Sequence, residues 1–280
     1  MREVAIEELK KIELDILVKV ASFCENNNIN YYLAYGTLIG AVRHNGFIPW
    51  DDDVDIVMPR PDYEKFLKEF PSKNDVDYIC LISPYNEKSI YTYSKVINTN
   101  TIKIENGINY SNEYLGVDID VFPMDGQPEN DDEYRKYYNA KAKYYKRYSR
   151  LIADENNYNG IKKAIRVAYK LVVRKIMRFD KSEMMKAISR INKAYPYETS
   201  RYVGSTSSGV NSIKNRHDKK LFDEFVYVNF EGNKFRAPIG YDKVLKDMFG
   251  DYMQLPPENE RVTHHGNKVY IKENIKNEKI

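Results

Sequence analysis

Two short segments of this chain alternate aspartate with apolar residues, and few folds tolerate that pattern twice. The first, IPWDDDVDIVMPR, covers residues 48–60 and sets four aspartates within five positions; the second, GVDIDVFPMDG, covers 116–126. A strand turns successive side chains to opposite faces. Asp51, Asp53 and Asp55 are therefore expected on one face of a strand with Val54 and Ile56 on the other, and Asp118 and Asp120 opposite Val117, Ile119 and Val121. Two carboxylates about 4 Å apart repel by roughly 1 kcal/mol in water and about 4 kcal/mol near a protein surface. If the two strands are neighbours, at least three carboxylates converge on one patch, and a pair of divalent cations is the natural counter-charge. Oxygen donors without His or Cys favour Mg2+ or Mn2+.

Plainer readings of the acids are weaker. A solvated loop would not alternate with Val and Ile. An EF-hand loop counted from Asp51 needs Gly at its sixth position and Glu at its twelfth, where this chain has Ile56 and Asp62. A structural role, capping a turn or pairing with Arg60, suits Asp51, Asp52 and Asp118.

The rest of the chain supplies an ordinary globular setting. Of its 280 residues 42% are hydrophobic and 30% charged, enough to bury a sizeable core. Cys24 and Cys80 stand far apart with no zinc-ligand spacing, which fits a reducing, cytoplasmic interior. Charges interrupt every turn of the N-terminal segment, and no run of about 18 apolar residues occurs, so neither a signal peptide nor a membrane span is expected.

Strands and helices alternate up to Gly126. Leu9, Ile12, Ile16, Val20 and Phe23 recur at helical spacing; YYLAY (31–35) reads as a buried strand; TLIGAVRH (37–44) reads as a short helix, followed by VDIVM as a strand and PDYEKFLKEF as a helix. DYICLI, YTYSKVI and TIKIE read as further strands before GVDIDVFP. The fold class is mixed α/β (α+β): a nucleotidyltransferase-like mixed sheet with helices and an inserted basic helical layer. One domain over 1–280 is expected, with its core at 28–126, the helical insert at 129–196, and a segment at 201–265 completing the site.

The insert differs in charge and period. Residues 134–181 hold 15 Lys or Arg against three acids, whereas the net charge of the whole chain is +3. Tyr134, Tyr137, Tyr138, Tyr144, Tyr145 and Tyr148 form one helical stripe, and Ile161, Ile165, Ala168, Val172 and Ile176 a second, each backed by cations. The plainer expectation is that both stripes pack inward; the sharper one is peripheral contact with an anionic membrane at its inner face. A non-enzymatic module binding polyanions or membrane is the least favoured function, since it leaves the ordered acids without a purpose, and no nucleic-acid partner is expected.

A strand, then Gly36-Thr37 opening a short helix, then Asp-apolar-Asp and a further acidic strand is how nucleotidyltransferase-type sites are assembled. Gly36 lets a phosphate approach the backbone, and the helix N-terminus favours an anion. YGTLIGAVRHNGFIPWDDDVDIVMPRPDYEKF closely resembles the signature of the LicD family, which includes phosphocholine transferases and, more distantly, fukutin-related ribitol-phosphate transferases. The resemblance runs on through YSKVINTNTIKIE, VDIDVFPMDG and GYDKVLKDMFGDYMQLPPENERVTHH. It implies metal-binding and catalytic roles for Asp53, Asp55 and Asp120, and a phosphate-facing turn at Gly36 and Thr37. It also implies contacts to the donor from Arg43, His44 and Lys95, with Arg261 and His264 or His265 in the C-terminal motif. The implied reaction transfers a phospho-alcohol unit, phosphocholine first among the options, from a CDP-activated donor to a hydroxyl of a glycan or lipid-linked glycan, releasing CMP. The rival enzymatic reading moves a nucleoside monophosphate from a triphosphate and releases pyrophosphate.

Overall fold

The protein is seen here as a computed structural model that describes residues 1–85, 89–104, 115–153, 159–175, 181–205, 213–263 and 267–272. Its centre is a seven-stranded mixed sheet. β2 (Tyr32–Leu33), β3 (Asp55–Pro59), β7 (Asp118–Gln127), β5 (Ser94–Asn98) and β4 (Ile79–Ile82) lie side by side in that order. β8 (Tyr202–Ser205) joins the distal half of β7 and carries β9 (His217–Asp218). β3 and β7 are parallel and the other pairings antiparallel. A parallel pair needs a crossover, and α3 (Arg60–Lys73), which leaves β3 directly, begins it.

Alternation along the central strands divides the core in two. Ile56, Met58, Ile119 and Val121 meet Ile16, Leu17 and Val20 of α1 (Ile6–Asn26) and Phe66 and Phe70 of α3 in one cluster. Val57, Phe122 and Met124 point the other way, to Val203, Phe222 and Val244, the last on α7 (Tyr241–Phe249). The hairpin β10 (Phe225–Phe230) and β11 (Asn233–Pro238) turns at Glu231 and Gly232, both at positive φ. There the Glu231 carboxylate accepts the Phe47 N–H at 3.0 Å and holds the segment that follows α2 (Tyr35–His44). A small sheet of β1 (Arg2–Glu3), β12 (Lys268–Ile271) and β6 (Thr101–Ile104) lies apart from the main one.

Three expectations are corrected. The first acidic segment is not strand throughout, because β3 begins at Asp55 and residues 51–54 are loop. Segment 31–35 keeps only Tyr32 and Leu33 as strand; Tyr35, at φ 46°, already starts α2. The two stripes of the insert also behave differently. Tyr145 and Tyr148 of α4 (Asp131–Ile152) pack on Met184, Met185 and Ile188 of α6 (Lys181–Asn192). The apolar stripe of α5 (Gly160–Lys175), however, faces outward.

Candidate active site

The acids meet because β3 and β7 pair in one particular register. Asp55 lies opposite Asp120 as a Cα partner, and the Asp120 N–H donates to Val54 O at 2.8 Å. Neighbouring strands run about 4.8 Å apart, so the two carboxylates start from adjacent backbones on the same face. The Thr37 hydroxyl, buried at the start of α2, accepts the Asp55 N–H at 2.8 Å and fixes the first residue of β3. A Cβ on Gly36 would collide with the Asp51 carboxylate, so Gly36 is what lets that acid reach the N-terminal turn of α2. The positive end of the helix dipole favours it there.

Electrostatically the site is overloaded with negative charge. Burial first, then repulsion from Asp53, Asp120 and Asp51, pushes the Asp55 carboxyl well above the usual range, with Lys95 opposing. Burial likewise pushes Asp120 up to about 6, against the pull of Lys95. Asp118 behaves in the opposite sense: burial opposes its ionisation, but Lys103 and Lys95 outweigh burial and hold it below the usual range.

Lys95 is the hinge of this arrangement. Its ammonium is buried, donates to Asp118 Oδ2 and reaches Asp120 Oδ1 at 2.5 Å, while Lys103 takes the other Asp118 oxygen at 2.7 Å. Asp118 is thus the structural acid that the sequence left open. Its partners are two lysines; Arg60 instead grips Asp125, through Nε at 2.6 Å and Nη2 at 2.7 Å.

Arg43, His44, Trp50 and Arg261 form a second group, around the last turn of α2. Arg43 Nε donates to His44 Nδ1 at 3.3 Å and its Nη1 to Tyr252 O at 2.5 Å; His44 stands edge-on to Trp50. Arg261 lies over the Trp50 ring, 5.7 Å from its centroid. Burial, then Arg43, lowers the His44 pKa. His264 and His265 lie outside the described residues.

Several residues of the site escaped the sequence reading. Burial, then the nearby Asp120 charge, pushes the Tyr93 hydroxyl well above its ordinary value, and Lys95 lies over the rings of Tyr91 and Tyr93, 4.6 and 5.6 Å from their centroids. Tyr93 packs on Phe122 at 4.4 Å and Phe122 on Tyr35 at 5.6 Å, so an aromatic row runs beside the acids. The signal was present in YTYSKVI, where period two puts Tyr91, Tyr93 and Lys95 on one face. Glu13 is fully buried on the apolar face of α1, neither of its oxygens has a hydrogen-bond partner, and burial drives its carboxyl well above the usual range. Its sequence signal is a carboxylate four residues from both Leu9 and Leu17.

The donor chemistry fits a hard divalent cation: only carboxylate oxygens, crowded enough that their mutual repulsion helps raise the Asp55 carboxyl. Among the described residues no three acid, His or Cys side chains are already gathered into an ion-holding cluster. Lys95 accounts for part of this, since its ammonium engages Asp120.

Residues 28–154 match the family model described as LicD/FKTN/FKRP, nucleotidyltransferase domain. The lipopolysaccharide cholinephosphotransferase LicD of Haemophilus influenzae is 29% identical over 276 residues, spanning 97% of this chain and 100% of that protein. The chain is thus similar to LicD-family proteins, through residues 28–154 in the family model and along nearly its whole length in the Haemophilus protein. Uncharacterised proteins of Rickettsia typhi and Rickettsia prowazekii are 40% identical over 74 residues and 44% identical over 52. These shorter matches cover 26% and 19% of this chain, and 24% and 20% of the relatives. The family-model match takes in Gly36, Thr37, Asp53, Asp55 and Asp120.

Proposed function

We propose that this LicD-like protein is a metal-dependent transferase that moves phosphocholine from a CDP-activated donor to a hydroxyl of a cell-surface glycan precursor, releasing CMP. The observation that carries the reading is the parallel register of Asp55 against Asp120, which sets two acids side by side with Asp53 two residues upstream. The full-length relationship to a protein named as a lipopolysaccharide cholinephosphotransferase supports the transferred group.

Asp53, Asp55 and Asp120 are the residues that would hold Mg2+ or Mn2+, and the cation would neutralise the donor's diphosphate and the charge on its leaving oxygen. The chain itself contributes positioning and proton transfer. Asp120 takes the proton of the attacking hydroxyl as its oxygen bonds to phosphorus and the bond to CMP breaks. Lys95, bonded to Asp120, fixes its orientation. The rings of Tyr91 and Tyr93 already take the Lys95 ammonium, so the preference for choline over an uncharged alcohol rests on the named relative. Arg43 and Arg261 supply positive charge of the kind a nucleotide phosphate attracts.

Calorimetric titration with CDP-choline, CDP-ribitol and CDP-glycerol, each with magnesium, tests the donor. CDP-choline is expected to bind tightest; a stronger signal from CDP-ribitol would reassign the alcohol, and pyrophosphate release from CTP would reassign the reaction. Asp53→Asn, Asp55→Asn and Asp120→Asn should each nearly abolish CMP release while circular dichroism stays unchanged. Losing a metal ligand removes several kcal/mol of transition-state stabilisation, so a variant keeping more than about a tenth of the rate would clear that residue of the role.

A further inference from the structure

α5 presents its apolar side to the outside. Ile161, Ile165, Leu171 and Val172 are 80%, 62%, 51% and 47% exposed, whereas Arg166, Tyr169 and Lys170 are half-buried. Lys170 donates to Ala153 O at 2.8 Å, so the polar side of the helix is the one that leans on the protein. Segment 160–175 contains six Lys or Arg and no acid, within the stretch 134–181 that carries a surplus of twelve positive charges. A water-soluble surface helix normally does the reverse, turning its apolar stripe to the core and its charges to solvent.

We propose that α5 is a docking surface for an anionic lipid bilayer, lying in the headgroup layer with Ile161, Ile165 and Val172 directed into it. Three considerations select this occupant. The exposed Lys162 and Lys163 complement acidic headgroups while the stripe beside them requires an apolar medium, and a bilayer surface supplies both. A second copy of this chain would set two cation-rich α5 helices against each other, neither of them holding an acid, so self-association through this face is repulsive. A nucleic acid would use the cations but leave the isoleucines in water. No described helix is long and apolar enough to cross a membrane, so the contact lies along the surface. The proposal is independent of the reaction assigned to the acids.

Vesicle co-sedimentation tests it with the full chain, comparing vesicles of phosphatidylcholine alone with vesicles in which a third of the lipid is phosphatidylglycerol. Retention is expected on the anionic vesicles only, and should fall severalfold when salt rises from about 0.1 M to about 0.5 M, because screening shortens the reach of the cations. The triple substitution Ile161→Glu, Ile165→Glu, Val172→Glu should lower retention at least tenfold with an unchanged circular dichroism spectrum and unchanged binding of CDP-choline. Should that variant misfold, Lys162→Ala with Lys163→Ala replaces it, with a smaller loss expected on the anionic vesicles. No retention at low salt would overturn the proposal, as would equal retention on neutral vesicles or retention indifferent to these substitutions. A dimer by light scattering that the triple substitution dissolves, without vesicle binding, would assign the face to a second copy.

Discussion

Thr37 and Lys95 are both committed to the acids rather than turned to solvent. The Thr37 hydroxyl accepts the Asp55 N–H, so Thr37→Val leaves a buried donor without its acceptor. Such an orphan costs about 1–3 kcal/mol. We expect urea unfolding to report a loss of that size for Thr37→Val, together with reduced transfer as Asp55 loses its fixed start, and near wild-type behaviour for Thr37→Ser. Lys95 carries the same lesson from the opposite sign of charge. A lysine in a chain with 44 Lys and Arg reads as solvated, and its candidacy for phosphate contact rested on a motif. Its burial between Asp118 and Asp120 follows from the antiparallel pairing of β5 with β7, which sets Lys95 against Asp120. Period two along YTYSKVI gives the face but not the partner strand, so the face was legible and the ion pairs were not.

Among the elements, α3 is tied to β7 by a buried ion pair. Arg60 is the first residue of α3, and its guanidinium meets Asp125 of β7, whose side chain is 1% exposed. Removing one partner of a buried pair typically costs 3–5 kcal/mol because the other charge is stranded, whereas replacing both with apolar groups is often close to neutral. Arg60→Met should therefore unfold at markedly lower urea concentration, and Arg60→Met combined with Asp125→Leu should recover most of the loss. The strand boundaries show where alternation stops being informative. Extended loop and strand share period two, so the acids from Asp51 read as one strand; what makes a strand is a partner, and pairing on β3 begins only at Asp55. β7 runs beyond Pro123, where a strand reading naturally ends, because β5 pairs with it up to Val121 and β8 takes over from Met124. Pro123 occupies the gap, where its missing N–H breaks no antiparallel ladder. The β10–β11 hairpin did carry a signal in FVYVNFEGNKF, an alternating run broken by Glu-Gly with both residues at positive φ, the geometry of a tight hairpin turn.

For the molecule as a whole, stability should depend on pH through groups that the fold pushes in opposite directions. Asp55, Asp120 and Glu13 carry raised carboxyl values, so the folded state holds protons that the unfolded chain has released, and their contribution weakens as pH rises through the folded values. His217 works in the other sense. It is buried on β9 with neither ring nitrogen hydrogen-bonded, and burial pushes its pKa down to about 4, against the weaker pull of Asp247 at 4.0 Å. The unfolded chain therefore binds near pH 6.5 a proton that the folded chain refuses. The corresponding stability is fully present above that pH and is lost as pH falls toward 4. At 1.36 kcal/mol per unit, going from pH 6.5 to pH 4.5 should remove about 2–3 kcal/mol through His217 alone. His217→Leu fills the site with a side chain that cannot take the proton and leaves no buried nitrogen unbonded, so its urea midpoint at pH 7 should match or exceed that of the wild type. Between pH 6.5 and 4.5 the variant should lose less stability than the wild type by that same amount. Parallel losses in the two proteins would show that the acid sensitivity over this range does not arise at His217.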